Sequence, residues 1–251
     1  MKTNNKLLSK SALQLIAAAA MLIGHLSFLA PNYGLLFAAH TLSRITIVIM
    51  CWFAAEGYYM THDLNRYILR MGIFAAVSQI PYYLFSLGSV PAGMYSFLAG
   101  CYSDRNVIFT LFTGLCLLTV LRAKLRYRWK LIAVVCALFI TRSSDWSLLG
   151  VLSIVTFGMF RGDFKKQAYS FVTVLFLHFI VRHIGLTVSF AQTDTVDVFQ
   201  LLNSLSYAGC LLALPLLRLY NGKRGSCPKY ALYIFYPAHL LALYFVKLIV
   251  L

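Results

Sequence analysis

Charged residues are scarce in this sequence, and acidic residues are the scarcest. Charged side chains make up 12% of the 251 residues, hydrophobic side chains make up 61%, and the mean hydropathy is +0.77. The chain has 7 aspartates and glutamates against 22 lysines and arginines. A soluble domain carries about 25% charged residues, so the composition excludes that class and indicates an integral membrane protein. We expect one domain over residues 1–251, because the length leaves no room for a separate soluble domain.

The sequence also lacks the patterns that several other classes require. It has no alternating pattern of the kind found in membrane barrels, no internal repeat, and no CxxC pair. No two histidines stand at metal-ligand spacing with a carboxylate, so we assign no metal site. Neither a disulfide framework nor a zinc site is supported by the six cysteines, which are Cys51, Cys101, Cys116, Cys136, Cys210 and Cys227.

Long apolar stretches fill the chain and predict an all-α, polytopic bundle of transmembrane helices. Only helices can cross the bilayer when no barrel pattern is present, because every backbone group must be paired. Two stretches are shorter than the roughly 20 residues that a span usually needs, so a re-entrant pair is the alternative for them. These two are 128–141 and 146–160. About nine spans are predicted, at 12–30, 35–60, 67–87, 107–122, 128–141, 146–160, 168–186, 198–219 and 229–250.

Lysine and arginine are concentrated in alternate gaps between these stretches. Positive loops remain cytoplasmic, so we predict a cytoplasmic amino terminus, a periplasmic carboxyl terminus and an uncleaved first span in the bacterial inner membrane. The formal charge of +15 is dispersed over short loops, which argues against nucleic acid and leaves the lipid bilayer as the partner. The basic gaps are 1–11, 61–70, 122–130, 161–167 and 218–229.

Ionisable residues at membrane depth are costly, so each one is a candidate for function. His25 lies late in the first span, where a neutral imidazole can act as a general base or can be satisfied by a neighbouring helix. Glu56, the only glutamate, is expected to have a partner, and pairing with Arg66 or Arg70 is the structural alternative. Arg44 presents a rigid fork of donors to phosphate or carboxylate, and its alternative is a structural ion pair.

Further polar residues lie in the later spans. His239 follows Pro237 in the last span, a placement that suits the lining of a cavity. Gln79 and Asn106 are neutral amides, which more often hold helices together than react. Pro81 falls in the middle of the third span and predicts a kink there. We identify no partner for the remaining histidines, His40, His62, His178 and His183.

Seven motifs, in order, resemble the TraX family, whose members acetylate the amino terminus of F-type conjugative pilin. The resemblance runs from about residue 12 to 248. Family members commonly have an aspartate where this chain has Gly24, and many have a glutamate where it has Gln79. The motifs span residues 20–25, 54–58, 76–82, 106–111, 149–151, 219–225 and 235–239.

The first two spans are also distantly similar to membrane acyltransferases of the acyltransferase-3 type. The two resemblances imply an N-acetyltransferase that uses acetyl-CoA as co-substrate and a pilin subunit as protein substrate. His25 then corresponds to the base, and Arg66 and Arg70 to contacts with the acyl donor. Glu56 and His239 join the predicted catalytic set, and Arg44 joins the donor-binding set.

Two other functions remain open at this stage. A non-enzymatic membrane chaperone for pilin subunits would present faces of small residues instead of a polar cavity. A small-molecule transporter is compatible with buried polar groups, but the sequence shows neither an inverted repeat nor paired broken helices.

Overall fold

A computed structural model describes residues 7–29, 32–90, 104–193, 198–228 and 230–250. Residues 30–31 and 91–103 lie outside these ranges, and Cys101 is among them. The described chain divides into two compact units. Unit 1 comprises Met1–Met50 and Gly162–Lys229, and unit 2 comprises Cys51–Arg161 and Tyr230–Leu251. The expectation of a single domain over 1–251 stays a prediction.

Helices dominate the described residues, which contain two 3-10 turns and isolated bridges but no β-strand. The turns are Leu26–Leu29 and Tyr207–Leu212. The helices are α1 (Lys10–His25), α2 (Tyr33–Ser43), α3 (Ile45–Met60), α4 (Leu64–Val77), α5 (Gln79–Leu87), α6 (Val107–Arg122), α7 (Tyr127–Thr141), α8 (Ser147–Met159), α9 (Phe164–Thr193), α10 (Val198–Ser206), α11 (Ala213–Arg218) and α12 (Ala231–Val250).

Six helical segments in the described ranges are long and apolar enough to cross a membrane. Two further apolar helices, α6 and α8, are shorter. Within the described residues, helices run through all nine predicted stretches, which confirms the prediction of an all-α, multi-pass membrane bundle. α9 extends beyond the predicted 168–186. The six segments are Lys10–Leu29, Tyr33–Met60, Leu64–Leu87, Phe164–Val188, Val198–Arg218 and Ala231–Val250.

The predicted kink in the third span is present as a break between α4 and α5 at Ser78. Pro81 has no N–H to donate to the carbonyl of Val77, so the α-helical ladder is interrupted there. The chain resumes at once, because the Ser78 N–H donates to Phe74 and the Tyr82 N–H donates to the Ser78 carbonyl. Pro237, in contrast, is accommodated within α12.

Unit 1 is held together by close helix contacts and by a loop that covers the start of α1. A side chain at Gly24 would bring its Cβ to 2.7 Å from Ser43 Oγ, so α1 and α2 approach closely there. Thr46 donates a hydrogen bond to the Ala17 carbonyl at 2.9 Å. At the other end of α1, the N–H groups of Lys10 and Ser11 donate to carbonyls of the loop 219–227. Amides that helices leave unpaired at their amino ends are thereby satisfied.

The start of α9 is capped by a carboxylate that lies near the surface. The Lys166 N–H donates to an Asp163 carboxyl oxygen at 3.1 Å, and the Lys166 ammonium lies 3.4 Å from the other oxygen. The hydrogen bond from the Lys166 backbone holds the pKa of the Asp163 carboxyl below its ordinary value.

Unit 2 is built around α6, which packs against α4, α7 and α8. Glycines let the backbones of α6 and α8 approach each other, as is common between membrane helices. A Cβ at Gly114 would lie 2.7 Å from Ile154, and one at Gly150 would lie 2.6 Å from Thr110. These contacts position the shorter helices beside α6, whereas whether α7 and α8 fully span stays a prediction.

Candidate functional site

His25 is the last residue of α1 and is half-buried in unit 1. It stands beside the Gly24–Ser43 crossing, and the 3-10 turn that follows it carries Ser27. Ser27 Oγ lies 2.8 Å from His40 Nε2, a hydrogen bond that joins this turn to α2. His40, for which the sequence indicated no partner, therefore has one.

Arg44 lies in the break between α2 and α3 and is 9% exposed. Its Nε donates to Ser206 Oγ at 3.0 Å, and its Nη2 donates to Asn203 Oδ1. The guanidinium carbon lies 4.0 Å from the centre of the Tyr207 ring, a cation–π contact. These contacts tie Arg44 to the segment Asn203–Tyr207.

Two residues of α9 also contact the Tyr207 ring. The His178 ring centre lies 4.5 Å from that of Tyr207, and the Arg182 guanidinium carbon lies 5.6 Å from it. We call Arg44, His178, Arg182 and Tyr207 the cation cluster. The sequence did not reveal that His178 and Arg182 belong with Arg44, although their spacing of four residues puts both on one face of a helix.

Glu56 is paired with Arg161 in unit 2. Arg161 Nε and Nη2 donate to the two carboxylate oxygens at 3.2 to 3.3 Å, and the Glu56 side chain is 19% exposed. The expectation of a partner is confirmed, but the alternative that named Arg66 or Arg70 is wrong. Arg161 is distant in sequence, so spacing along a helix could not reveal it. Its guanidinium also lies 4.9 Å from the centre of the Tyr59 ring.

Arg66 and Arg70 are one turn apart on α4 but have different environments. Arg66 is exposed and pairs with Asp63 at 2.9 Å, close to the start of the helix. Arg70 is half-buried between the rings of Tyr67 and Tyr230, at 5.6 and 5.7 Å, and its buried Nε has no hydrogen-bond partner. α4 therefore carries one solvated cation, Arg66, and one enclosed cation, Arg70.

His239 is buried within α12, where its Nδ1 lies 2.9 Å from the Phe235 carbonyl. A carbonyl oxygen only accepts, so Nδ1 carries the proton and Nε2 is the basic nitrogen of the neutral ring. The ring stacks on Phe235 with centres 4.7 Å apart. This contact orients the imidazole firmly.

Gln79 and Asn106 hydrogen-bond to each other, in agreement with their interpretation as groups that hold helices together. Asn106 Nδ2 donates to Gln79 Oε1 at 2.7 Å and to the Ala75 carbonyl at 2.8 Å. Gln79 Nε2 donates to the Asp104 carbonyl at 2.7 Å. Asn106 also accepts from the Phe109 N–H and so caps α6. We call Gln79, Asp104 and Asn106 the amide network.

The predicted site residues are distributed between the two units. His25 and Arg44 lie in unit 1, whereas Glu56, Arg66, Arg70 and His239 lie in unit 2. Within unit 1, Arg44 is joined by His178 and Arg182. Within unit 2, Glu56 has Arg161 as its ion-pair partner. Among the described residues, no group of three or more histidines, cysteines, aspartates or glutamates is arranged to hold a metal ion.

A sequence model of the TraX protein family matches residues 9–247 of this chain. The chain belongs to the TraX family. It is also 24% identical over 234 residues to the probable fimbrial assembly protein FimC, serogroup H1, of Dichelobacter nodosus, and that match covers 91% of each protein. No solved structure matches it.

The geometry gives physical reasons for the two departures of this TraX-family chain from common family residues. An aspartate at Gly24 would push its Cβ against Ser43. A glutamate at Gln79 would place a second oxygen where the amide nitrogen now donates to the Asp104 carbonyl. Glycine at 24 and glutamine at 79 each suit their surroundings here.

Proposed function

We propose that the protein is a membrane N-acetyltransferase that transfers the acetyl group of acetyl-CoA to the amino terminus of an F-type pilin subunit. The observation that carries the proposal is the TraX family match over nearly the whole chain. The relative's name, a fimbrial assembly protein, agrees with a pilin as partner. The multi-pass helices agree with an enzyme of the bacterial inner membrane, with its amino terminus in the cytoplasm.

The reaction needs a base and a site for a transient negative charge. An α-amino group has a pKa near 8, so at neutral pH much of it is protonated and unable to attack. In the proposed reaction the amine nitrogen attacks the thioester carbon, and His25 removes the proton that the nitrogen loses. The tetrahedral intermediate collapses, its C–S bond breaks, and the CoA thiolate leaves and receives that proton. General-base assistance of this kind contributes about 10²–10⁴-fold to the rate.

His25 is the proposed base because of its position as well as its type. It is half-buried at the end of α1, roughly 20 Å along the helix from Lys10, and a side chain there is partly shielded from water. Near a helix carboxyl terminus the imidazolium formed during transfer is stabilised by the helix dipole.

Arg66, Arg70 and Arg44 are the proposed contacts to the acetyl donor. Arg66 is solvated at a predicted cytoplasmic helix end, where the diphosphate of acetyl-CoA arrives first. Arg70 has a buried Nε without a partner, which is the condition expected of a donor that awaits an acceptor. In this role Arg44 exchanges its hydrogen bonds to Ser206 and Asn203 for an anionic oxygen within unit 1.

Glu56 and His239 complete the proposed catalytic set with supporting roles. Both Glu56 oxygens accept from Arg161, so the proposed transfer of a proton to Glu56 requires that pair to open. His239, whose Nδ1 donates to Phe235, presents Nε2 as a proton acceptor at the level of Pro237. Each role predicts loss of acetylation on substitution without loss of the folded protein.

The test is the acetylation state of pilin in cells that produce the protein or its His25→Ala variant. Mass spectrometry should find unmodified pilin with the variant at unchanged membrane abundance. His62→Ala provides the matched control, because His62 is an exposed histidine between α3 and α4. Fully acetylated pilin with His25→Ala would refute the base assignment.

A pilin chaperone without catalytic activity is the second candidate, and the relative's name as an assembly protein favours it. The close glycine contacts between α6 and α8 are the faces of small residues that this function uses, although here they already contact each other. Pilin that accumulates normally but unmodified with His25→Ala favours the enzyme, whereas pilin that fails to accumulate favours the chaperone.

A further inference from the structure

We infer that Ser27 and His40 form a nucleophile–base pair, in which Ser27 Oγ takes the acetyl group from the donor before the group passes to the pilin amine. The inference rests on the proposed function for its donor and its acceptor, and it replaces the direct attack on the thioester by two successive transfers. Neither residue was predicted from the sequence to take part in the reaction.

The first argument is the hydrogen bond between the two side chains. Ser27 Oγ lies 2.8 Å from His40 Nε2, which is within the distance expected between a nucleophile and its general base. In the tautomer that carries its proton on Nδ1, His40 Nε2 accepts the hydroxyl hydrogen. Near neutral pH most imidazoles are unprotonated, so a base of this type is available without a prior proton transfer.

The second argument is that Ser27 bonds differently from other hydroxyl groups in these helices. A serine or threonine within a helix commonly donates to a carbonyl three or four residues earlier. Thr41, Ser86 and Thr113 do so, at 2.7 to 3.0 Å. Ser27 lies on the 3-10 turn that follows α1, and its Oγ reaches across to α2 instead. The change of helical type therefore accompanies a hydroxyl that is directed at an imidazole.

The third argument is that the imidazole is held in place. The His40 carbonyl accepts from the Arg44 N–H at 3.2 Å and from Ser43 Oγ at 2.7 Å, so the backbone is fixed at this position. The Phe199 ring lies edge-to-face against the imidazole, with centres 6.2 Å apart and planes at 72°. A base that is oriented by its surroundings is the third part of a nucleophile–base arrangement.

The pair is accessible, and it lies next to the proposed base in the sequence. Ser27 and His40 are both half-buried, so neither is sealed within a helix contact. His25 precedes Ser27 by two residues at the end of α1. A covalent intermediate divides one difficult transfer into two easier ones, and it lets the donor leave before the acceptor enters.

The first transfer forms an ester on Ser27. His40 Nε2 removes the hydroxyl proton while Ser27 Oγ attacks the thioester carbon. The C–S bond then breaks, and the CoA thiolate leaves and receives that proton. In the second transfer the pilin amine attacks the ester carbon and loses its proton to His25. The ester C–O bond breaks, and that proton returns to the Ser27 oxygen.

The covalent step can be tested with the purified full-length protein in proteoliposomes and isotopically labelled acetyl-CoA, without pilin. Mass spectrometry of protease digests should find an acetyl group on Ser27 of the wild type, and addition of the pilin peptide should discharge it. His25→Ala should acquire the same group but keep it after the peptide is added, because only the second transfer is blocked.

Ser27→Ala should carry no acetyl group at this position and should lose pilin acetylation. His40→Ala should slow formation of the ester by about 10²–10⁴-fold, because the general base is lost. Ser170→Ala is the matched control, since Ser170 is a half-buried serine of unit 1 whose Oγ donates to the Gln167 carbonyl, and it should behave as the wild type does. If Ser27→Ala fails to fold, Ser27→Cys keeps a nucleophile and should form a thioester, which neutral hydroxylamine cleaves.

Full pilin acetylation by Ser27→Ala would overturn the inference and leave the proposed function unaffected. The absence of acetylated Ser27 from both wild type and His25→Ala, when the wild type acetylates pilin, would do the same. An acetyl group on Ser27 that never passes to the pilin peptide would support the pair and count against the proposed function. The absence of both products would contradict both proposals.

Discussion

The amide network of unit 2 and the cation cluster of unit 1 both contain buried polar side chains, but they differ in whether those side chains find hydrogen-bond partners. In the network, Asn106 Nδ2 donates to Gln79 Oε1 and to the Ala75 carbonyl, and Gln79 Nε2 donates to the Asp104 carbonyl. These two buried amides are therefore satisfied by groups of the same unit. In the cluster, cationic and neutral groups gather around Tyr207, and the buried atoms Arg182 Nε and His178 Nε2 have no hydrogen-bond partner. Burial by itself therefore does not mark a functional group in a membrane protein. The difference lies in whether the polar atoms satisfy one another.

The largest loss of stability should come from a substitution that breaks the amide network. Asn106→Ala removes the cap of α6 and the side-chain donor to Gln79 Oε1 and to the Ala75 carbonyl, at a cost of about 2–4 kcal/mol. Thermal unfolding in detergent measures it, and Asn65→Ala, at an exposed position of α4, is the control. If Arg182→Gln proves as destabilising as Asn106→Ala, the contrast between the two regions fails.

A somewhat smaller loss of stability is expected at the close approach of α1 and α2 in unit 1. Gly24→Asp would force Ser43 to move and should lower stability by about 1–3 kcal/mol. The loss should shrink when Ser43→Gly is added, because the obstructing atoms are then gone. Gly34→Asp is the control, since a Cβ there meets only Asn32 Oδ1 at 3.4 Å. Equal losses for both aspartates would show that charge, and not the close approach of α1 and α2, is responsible.

The Glu56–Arg161 pair offers a smaller and more local test. A double-mutant cycle with Glu56→Gln and Arg161→Gln should give a coupling of about 1 kcal/mol, since the geometry is bidentate but the arginine is partly exposed. The coupling should fall at high salt. A coupling near zero would place Glu56 among the residues that are not compensated within unit 2, and would strengthen its proposed catalytic role.

The smallest change in stability is expected at Asp163, the one acidic residue in the described part of unit 1. Because the folded-state pKa of Asp163 is lowered, its carboxylate contributes stability above its unfolded-state pKa, near 4. That contribution is lost as the pH falls through the folded-state pKa. The unfolding midpoints of wild type and Asp163→Asn should therefore differ most near neutral pH and converge in acid. A constant difference would exclude this carboxylate as its source.

Hydropathy predicted the helical membrane fold well, because span length and composition are properties of the sequence alone. Pro81 similarly predicted the break between α4 and α5. The partner of Glu56 could not be predicted, since Arg161 approaches only when α3 and the end of α8 are packed. Only part of the cation cluster could be recognised from the sequence. Arg44 was recognised, but Arg182 was not singled out within the predicted span 168–186, and Tyr207 gave no signal without the fold.

The most direct test of the proposed activity is acetyl transfer by the purified protein in proteoliposomes, with acetyl-CoA and a synthetic peptide of the pilin amino terminus. The account predicts that the wild type and the His62→Ala control add one acetyl group to the peptide's α-amine, as read by mass spectrometry, and that His25→Ala, although folded, adds none. Equal acetylation by wild type and His25→Ala, or none by any of the three proteins, would contradict it.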